Sequence, residues 1–245
     1  MGILTSQEAP ASRHQPKRRV VHVHLFALAD AIILSMTKKI TFYYVRHGRT
    51  VYNREGIMQG QVDSPLAEEG IPVLKETAEA LKDIPFVRCY SSPLYRAVHT
   101  AKIITEGRDI VIEPVEDLIE MNFGRIDGKP HREHRTAMLI CHALDNFRPI
   151  GGDSAGDMKK RARRAMNTIV DKCSDGDHIL LTGHGSYYRY LIRELFHKSR
   201  LGLKKDPLWN GVGNGSISVF TYNDGTWNLI CYPLSASEFI KTTPR

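Results

Sequence analysis

KITFYYVRHGRTVYN, residues 39–53, is an aromatic and β-branched run that stops at a cation, a histidine and a glycine. Lys39 to Val45 has the composition of a buried strand. Arg46 and His47 then stand side by side ahead of Gly48. Taken alone they are a loop cation and a satisfied histidine. At the end of a buried strand they can instead open a phosphate-handling site. The rest of the chain decides between the two readings.

Outward from this strand, strands and helices alternate. LAEEGIPVLKETAEALKD (66–83) predicts a helix with Leu66, Leu74, Ala78 and Leu81 on one face and Pro72 in its first turn. FVRCYSS (86–92) reads as a short strand. In SPLYRAVHTAKIITEG (92–107), Ser92 is the expected N-cap and Pro93 the first helical residue. DIVIEPV (109–115) is another strand, and HREHRTAMLICHALDNF (131–147) a less regular helix. SAGDMKKRARRAMNTIVDK (154–172) carries a capping box, Ser154 with Asp157. Its stripe is Met158, Ala162, Ala165, Met166, Ile169 and Val170, and Lys159, Lys160, Arg161, Arg163 and Arg164 form a solvated face. DHILLTGHG (177–185) is a strand ending in a glycine-flanked histidine, followed by the helix SYYRYLIRELF (186–196). GSISVFTYNDGTWNLICY (215–232) is a hairpin turning at Asp224-Gly225.

This order predicts an α/β fold: a three-layer α/β/α sandwich with a mostly parallel central sheet. Such sheets bind ligands beyond the carboxyl ends of their strands. Arg46-His47, Ser91-Ser92 and Gly183-His184-Gly185 each follow a strand, so three strand ends can meet in one pocket.

Cleaving a phosphate monoester needs a nucleophile, donors around the equatorial oxygens and an acid for the leaving oxygen. A neutral imidazole such as His47 is a competent nucleophile near neutral pH. Arg46 and Arg96 can each grip two oxygens through a planar fork. His184 supplies a further donor, and the glycines at 48, 183 and 185 let backbone approach closely. The acid is expected in DLIEMNFGRIDG (117–128), which holds Asp117, Glu120 and Asp127. Glu120, between Ile119 and Met121, has the apolar setting that suits a proton donor, with Asp117 and Asp127 as alternatives. No cluster of carboxylates at ligand spacing accompanies these residues, so no metal is expected.

The chain has 245 residues and a formal charge of +7. Arg13, Lys17, Arg18 and Arg19 against Glu8 and Asp30 leave the remainder at 30 minus 25, or +5. That excess is spread over many helices, which favours an anionic small-molecule substrate over nucleic acid. Apolar runs are too short to span a membrane. Cys89, Cys141, Cys173 and Cys231 form no C-x-x-C pair and read as incidental thiols of a reduced, cytoplasmic protein. Residues 1–35 stand apart. They begin polar and aperiodic, then turn apolar but broken by His22, His24 and Asp30. They are expected to be a disordered or non-native extension before a domain spanning 36–245, with a signal peptide as the lesser reading and no metal role for the two histidines.

VRHGRT with Asn53, then MQGQVDSPLAEEG, YSSPLYRAVHTA, LIEMNFGRIDG, GGDSAGD and LLTGHG occur in that order. Together, from about Lys38 to Tyr232, they closely resemble the histidine phosphatase superfamily, also called phosphoglycerate mutase-like. The resemblance implies that His47 is phosphorylated and that Arg46, Arg96 and His184 form the phosphate pocket. It implies a phosphate contact from Asn53, a proton donor in Glu120, and Gln59 and Gly60 on the substrate side of their loop. It also implies a reaction without metal or organic cofactor. Arg49 replaces a residue often acidic in the family's mutases, and Asp153 stands where Glu is common. The segment between Gly124 and Gly151 is shorter than in the mutases. These departures point to the phosphatase branch, and Arg49 is expected to help bind an acidic substrate. The expected function is hydrolysis of small phosphate monoesters by a monomer or homodimer, with no nucleic-acid or membrane partner. A cofactor-dependent phosphoglycerate mutase and a non-catalytic binding module of the same fold are the competing readings.

Overall fold

The computed structural model describes Gly2 and residues 38–242. Apart from Gly2, the expectations for residues 1–35, His22 and His24 among them, concern positions outside the described residues. The chain divides into two units, Met1–Thr37 and Lys38–Arg245, and all the elements below belong to the second.

Six strands form one sheet: β1 (Lys39–Arg46), β2 (Phe86–Ser91), β3 (Ile112–Pro114), β4 (His178–Gly183), β5 (Ile217–Asn223) and β6 (Thr226–Leu234). Their spatial order is β3-β2-β4-β1-β5-β6. The pairs β1·β4, β2·β4 and β2·β3 are parallel, while β5 pairs antiparallel with β1 and with β6. The β5–β6 turn at Asp224-Gly225 has φ of 45° and 87°, the left-handed pair a tight hairpin requires.

Eight α-helices are described: α1 (Val51–Glu55), α2 (Gly70–Ala80), α3 (Tyr95–Ile104), α4 (Arg135–Leu144), α5 (Ala155–Asp171), α6 (Gly185–Leu195), α7 (Arg200–Lys205) and α8 (Ala236–Thr242). Both faces of the sheet are covered. Ile40, Phe42 and Tyr44 of β1 join one core with residues of α5 and α6. Tyr43 and Val45, pointing the other way, join a second core with Ala101, Ile104 and Phe239. That two-sided burial is why β1 reads as a nearly unbroken apolar run. The α5 stripe is buried as the sequence predicts, and Ser154 and Asp157 form the capping box.

Three local expectations are corrected. Helix α3 begins at Tyr95 rather than Pro93, and its N-cap Leu94 has no side-chain cap. The capping oxygen comes from across the chain, because the Asp63 carboxylate accepts from the amides of Tyr95 and Arg96. Within DIVIEPV only Ile112–Pro114 pairs as a strand. Arg161 is not on the solvated face of α5. Its side chain is 13% exposed and lies 3.2 Å from Asp153.

Candidate active site

Register builds the floor of the site. Arg46 is level with Gly183 across β1 and β4, and Ser91 with Thr182 across β2 and β4. The ladder runs one step past each strand: His47 N donates to Gly183 O at 2.8 Å and Ser92 N to Thr182 O at 2.9 Å. The residues after three parallel strands are therefore neighbours. The rings of His47 and His184 lie 5.2 Å apart, and His184 Nε2 is 2.7 Å from Ser92 Oγ.

Arg46, His47, Asn53, Gln59, Gly60, Arg96 and Glu120 line one cavity of about 220 Å3. His184 is fully buried beside it. Arg49 is not brought there. Its Nε lies 3.8 Å from Glu69 Oε1 on a half-exposed side chain. The backbone turns that side chain outward, since Arg49 O accepts from Ala67 N and Gly70 packs against the Arg49 main chain.

His47 is 2% exposed, and its Nδ1 sits 2.8 Å from its neighbour's carbonyl, Gly48 O. A carbonyl only accepts, so Nδ1 carries the proton and Nε2 keeps a lone pair. Burial, then the charges of Arg46 and Arg96, holds the His47 imidazole well below its usual range. His184 is held down in the same way by burial, Arg96, His47 and Arg46. Its buried Nδ1 has no partner among the described residues. A Ser92 hydroxyl that donates to Nε2 would leave Nδ1 to present an N–H.

The two arginines are fixed differently. Arg96 is fully buried. Its Nη1 donates to Val62 O at 3.0 Å and Asp63 Oδ1 at 3.1 Å, and its Nη2 to Gly60 O at 2.7 Å. Arg46 Nη1 donates to Val212 O at 2.5 Å. In both, the buried Nε has no hydrogen-bond partner among the described residues. Two desolvated donors facing each other's charge form a strong anion site. Glu120 is the leading charge offsetting burial at both guanidiniums. Gly185 lets the guanidinium of Arg46 lie against the backbone, since a Cβ there would sit 3.3 Å from Arg46 Cζ.

Asn53 closes a capping box with Thr50 on α1, its Oδ1 accepting from Thr50 N at 3.2 Å and Asn214 Nδ2 at 3.3 Å. Its amide NH2 is the group left to donate. Gln59 Oε1 accepts from Thr50 Oγ1 at 2.9 Å.

The carboxyl candidates separate cleanly. Asp117 pairs with Arg164 at 2.7 Å, away from the cavity. Asp127 stands behind the loop, accepting from Gln61 N at 3.0 Å and Phe123 N at 3.2 Å, and burial pushes its carboxyl up to about 6. Glu120 alone of the three lines the cavity. The apolar setting expected around it is not what its oxygens meet. Oε1 accepts from Met121 N and Tyr187 N, both at 2.7 Å, and Oε2 from Ser186 N at 3.1 Å. Glu120 thus caps the N-terminus of α6, the helix that follows His184.

Several residues of the site were not singled out from sequence. Asp63 clamps Arg96, and Arg161 Nη2 holds Glu120 O at 3.1 Å. Met138 and His142 of α4, Arg189 of α6 and His131 also line the cavity. The acidic residue in QGQVDSPL was the available signal for Asp63; the others carry none. Among the described residues no group of three or more His, Cys, Asp or Glu is placed to hold a metal ion.

A six-stranded α/β/α sandwich with two histidines and one arginine at its strand ends, and a second arginine in the first turn of the helix after β2, defines a class of phosphoryl-transfer proteins. Residues 42–233 match the histidine phosphatase superfamily (branch 1), and the chain belongs to that family. It is 31% identical over 193 residues to the adenosylcobalamin/alpha-ribazole phosphatase of Salmonella typhimurium, covering 77% of this chain and 88% of the relative. It is 32% identical over 199 residues to the 2,3-bisphosphoglycerate-dependent phosphoglycerate mutase 2 of Gloeobacter violaceus, covering 77% and 89%. Among solved structures, Bacillus stearothermophilus YhfR superposes with a TM-score of 0.71 at 29% identity, covering 78% of this chain and 96% of that one.

Proposed function

We propose that this chain hydrolyses small phosphate monoesters through a phosphohistidine on His47. The observation that carries the reading is the Nδ1–Gly48 bond, which leaves the Nε2 lone pair beside two unpartnered Arg Nε donors. Nε2 attacks phosphorus in line as the ester P–O bond breaks. Arg46, Arg96, His184 and Asn53 hold the equatorial oxygens. Glu120 Oε2 delivers the proton to the departing alcohol oxygen. The resulting carboxylate then takes a proton from water, whose oxygen attacks phosphorus and releases inorganic phosphate. His47 returns to its neutral form with Nδ1 still donating to Gly48. No step calls on a metal or organic cofactor.

The expected result for His47→Ala is loss of phosphate release by at least about three orders of magnitude, with thermal unfolding close to wild type and no acid-labile phosphoenzyme. Undiminished turnover in that variant would overturn the reading, and chelator should leave the wild-type rate unchanged. The likeness to the Gloeobacter relative supports a mutase as the second reading. It predicts isomerised phosphoglycerate in place of free phosphate, so the product decides. The four free thiols suit a reducing compartment such as the cytoplasm.

A further inference from the structure

A second cavity of about 220 Å3 adjoins the first, and the two share His142, Ser186 and Arg189. Helix α6 brings this about. It starts at Gly185 against Arg46, and Arg189 follows one turn later on the same side. Met121, Leu203 and Trp209 give the second cavity an apolar part. Its charged lining is Arg189, Arg193, Arg200 and Lys204 against Asp145, four cations minus one carboxylate, or +3. Burial, then Arg189 and Arg200, keeps His142 below the usual imidazole range, so it adds no charge near neutral pH.

These cations are unequally committed. Arg193 Nη2 lies 2.5 Å from Asp145 Oδ2, yet its Nε is buried without a partner among the described residues. Arg200 donates to the backbone carbonyls of His142 and Ala143 at the end of α4. The side chains of Arg189 and Lys204 make no hydrogen bond or ion pair among the described residues. Four cations converging with one counter-charge repel one another, and an anion relieves that repulsion.

We propose that the second cavity is a subsite for a second anionic group, phosphate or carboxylate, carried on the alcohol portion of the substrate and gripped by Arg189 and Lys204. The proposal rests on the reading of the first cavity as the site of the scissile ester. The alcohol then runs past Ser186 and His142, its carbon chain packs on Met121, Leu203 and Trp209, and its far end meets the two free cations. Hydrolysis at His47 severs the link between the two anions.

The test uses ligands that cannot be cleaved, titrated calorimetrically into the full chain: propylphosphonate, alkane bisphosphonates of increasing length and the matching carboxyalkyl phosphonates. At one length, a ligand with two anionic ends should bind wild type about tenfold more tightly than propylphosphonate. In the Arg189→Ala/Lys204→Ala double variant that ratio should fall toward one. A general loss of folding weakens all ligands alike and does not move the ratio. Gain by bisphosphonates alone assigns the second group as phosphate; gain by carboxyalkyl phosphonates as well admits carboxylate. Equal binding of all lengths by wild type, or a ratio that survives in the double variant, overturns the subsite. Phosphate release without the ratio sinks the subsite alone. The ratio without phosphate release sinks hydrolysis alone.

Discussion

The floor of the candidate site and its wall are held by different means. The floor is the set of residues just after β1, β2 and β4, and their relative positions follow from parallel strand register. The wall is the 59–63 loop and the 120–127 segment. It has no ladder and is fixed by side chains reaching into backbone. Arg96 binds Gly60 O and Val62 O, Asp127 binds the amides of Gln61 and Phe123, and Arg161 binds Glu120 O. The floor inherits the rigidity of the sheet, whereas the wall depends on a few buried ionic groups. Damage to the wall should therefore reach the chemistry through geometry.

Arg96 ties the wall to the anion site and gives the largest effect of any change to the wall. Arg96→Lys keeps a charge but loses the fork that serves Val62, Asp63 and Gly60 together. We expect kcat to fall about a hundredfold or more, with a lowered unfolding temperature. Activity near wild type would mean that the wall does not need Arg96. Gly60→Ala tests the wall alone. Gly60 has φ +51°, and a Cβ there would lie 1.9 Å from Asp127 Oδ1. A loss of about 1–3 kcal/mol in urea denaturation is expected, partly recovered in the double variant with Asp127→Ala.

Asp127 also gives the wall a pH signature. Burial raises its carboxyl from 3.8 to about 6 in the folded chain. The native state thus holds the proton more tightly than the unfolded state. The associated stability is present below about 4 and is lost as pH rises through about 6. Asp127→Asn removes that slope, so the urea midpoint of the variant should gain on wild type across this interval. A constant difference would show that Asp127 does not titrate there. The smallest effect belongs to Arg49, which touches neither region. Arg49→Ala should leave kcat/KM within about twofold and stability within about 0.5 kcal/mol. A large loss would bring Arg49 back toward the substrate.

Legibility follows the same division. Each piece of the floor is a short run with its own strand or glycine signature, so VRHG, YSSP and TGHG could be placed at strand ends without coordinates. The stripe and capping box of α5 were readable for the same reason, since both are set by residues three or four apart. The wall offered no such period. Asp63 and Arg96 are 33 residues apart, and Arg161 and Glu120 are 41 apart. Ser92 looked like the cap of α3, but the carboxylate of Asp63 takes that place. Glu120 looked like a carboxyl among apolar side chains, but α6 aims its first amides at it.

By itself the sequence determined the alternation of strands and helices, the parallel sheet and the residues that stand at its carboxyl ends. These follow from local periodicity, turn chemistry and the short reach of a strand end. Only the tertiary structure decided that His47 donates through Nδ1 and that Arg96 is clamped by a distant loop. It also decided that Glu120 caps a helix, that Arg49 faces away, and that Arg189 stands between two cavities. Those depend on which backbone amide or carbonyl a folded chain presents to a buried side chain, and residue identity and spacing do not encode that.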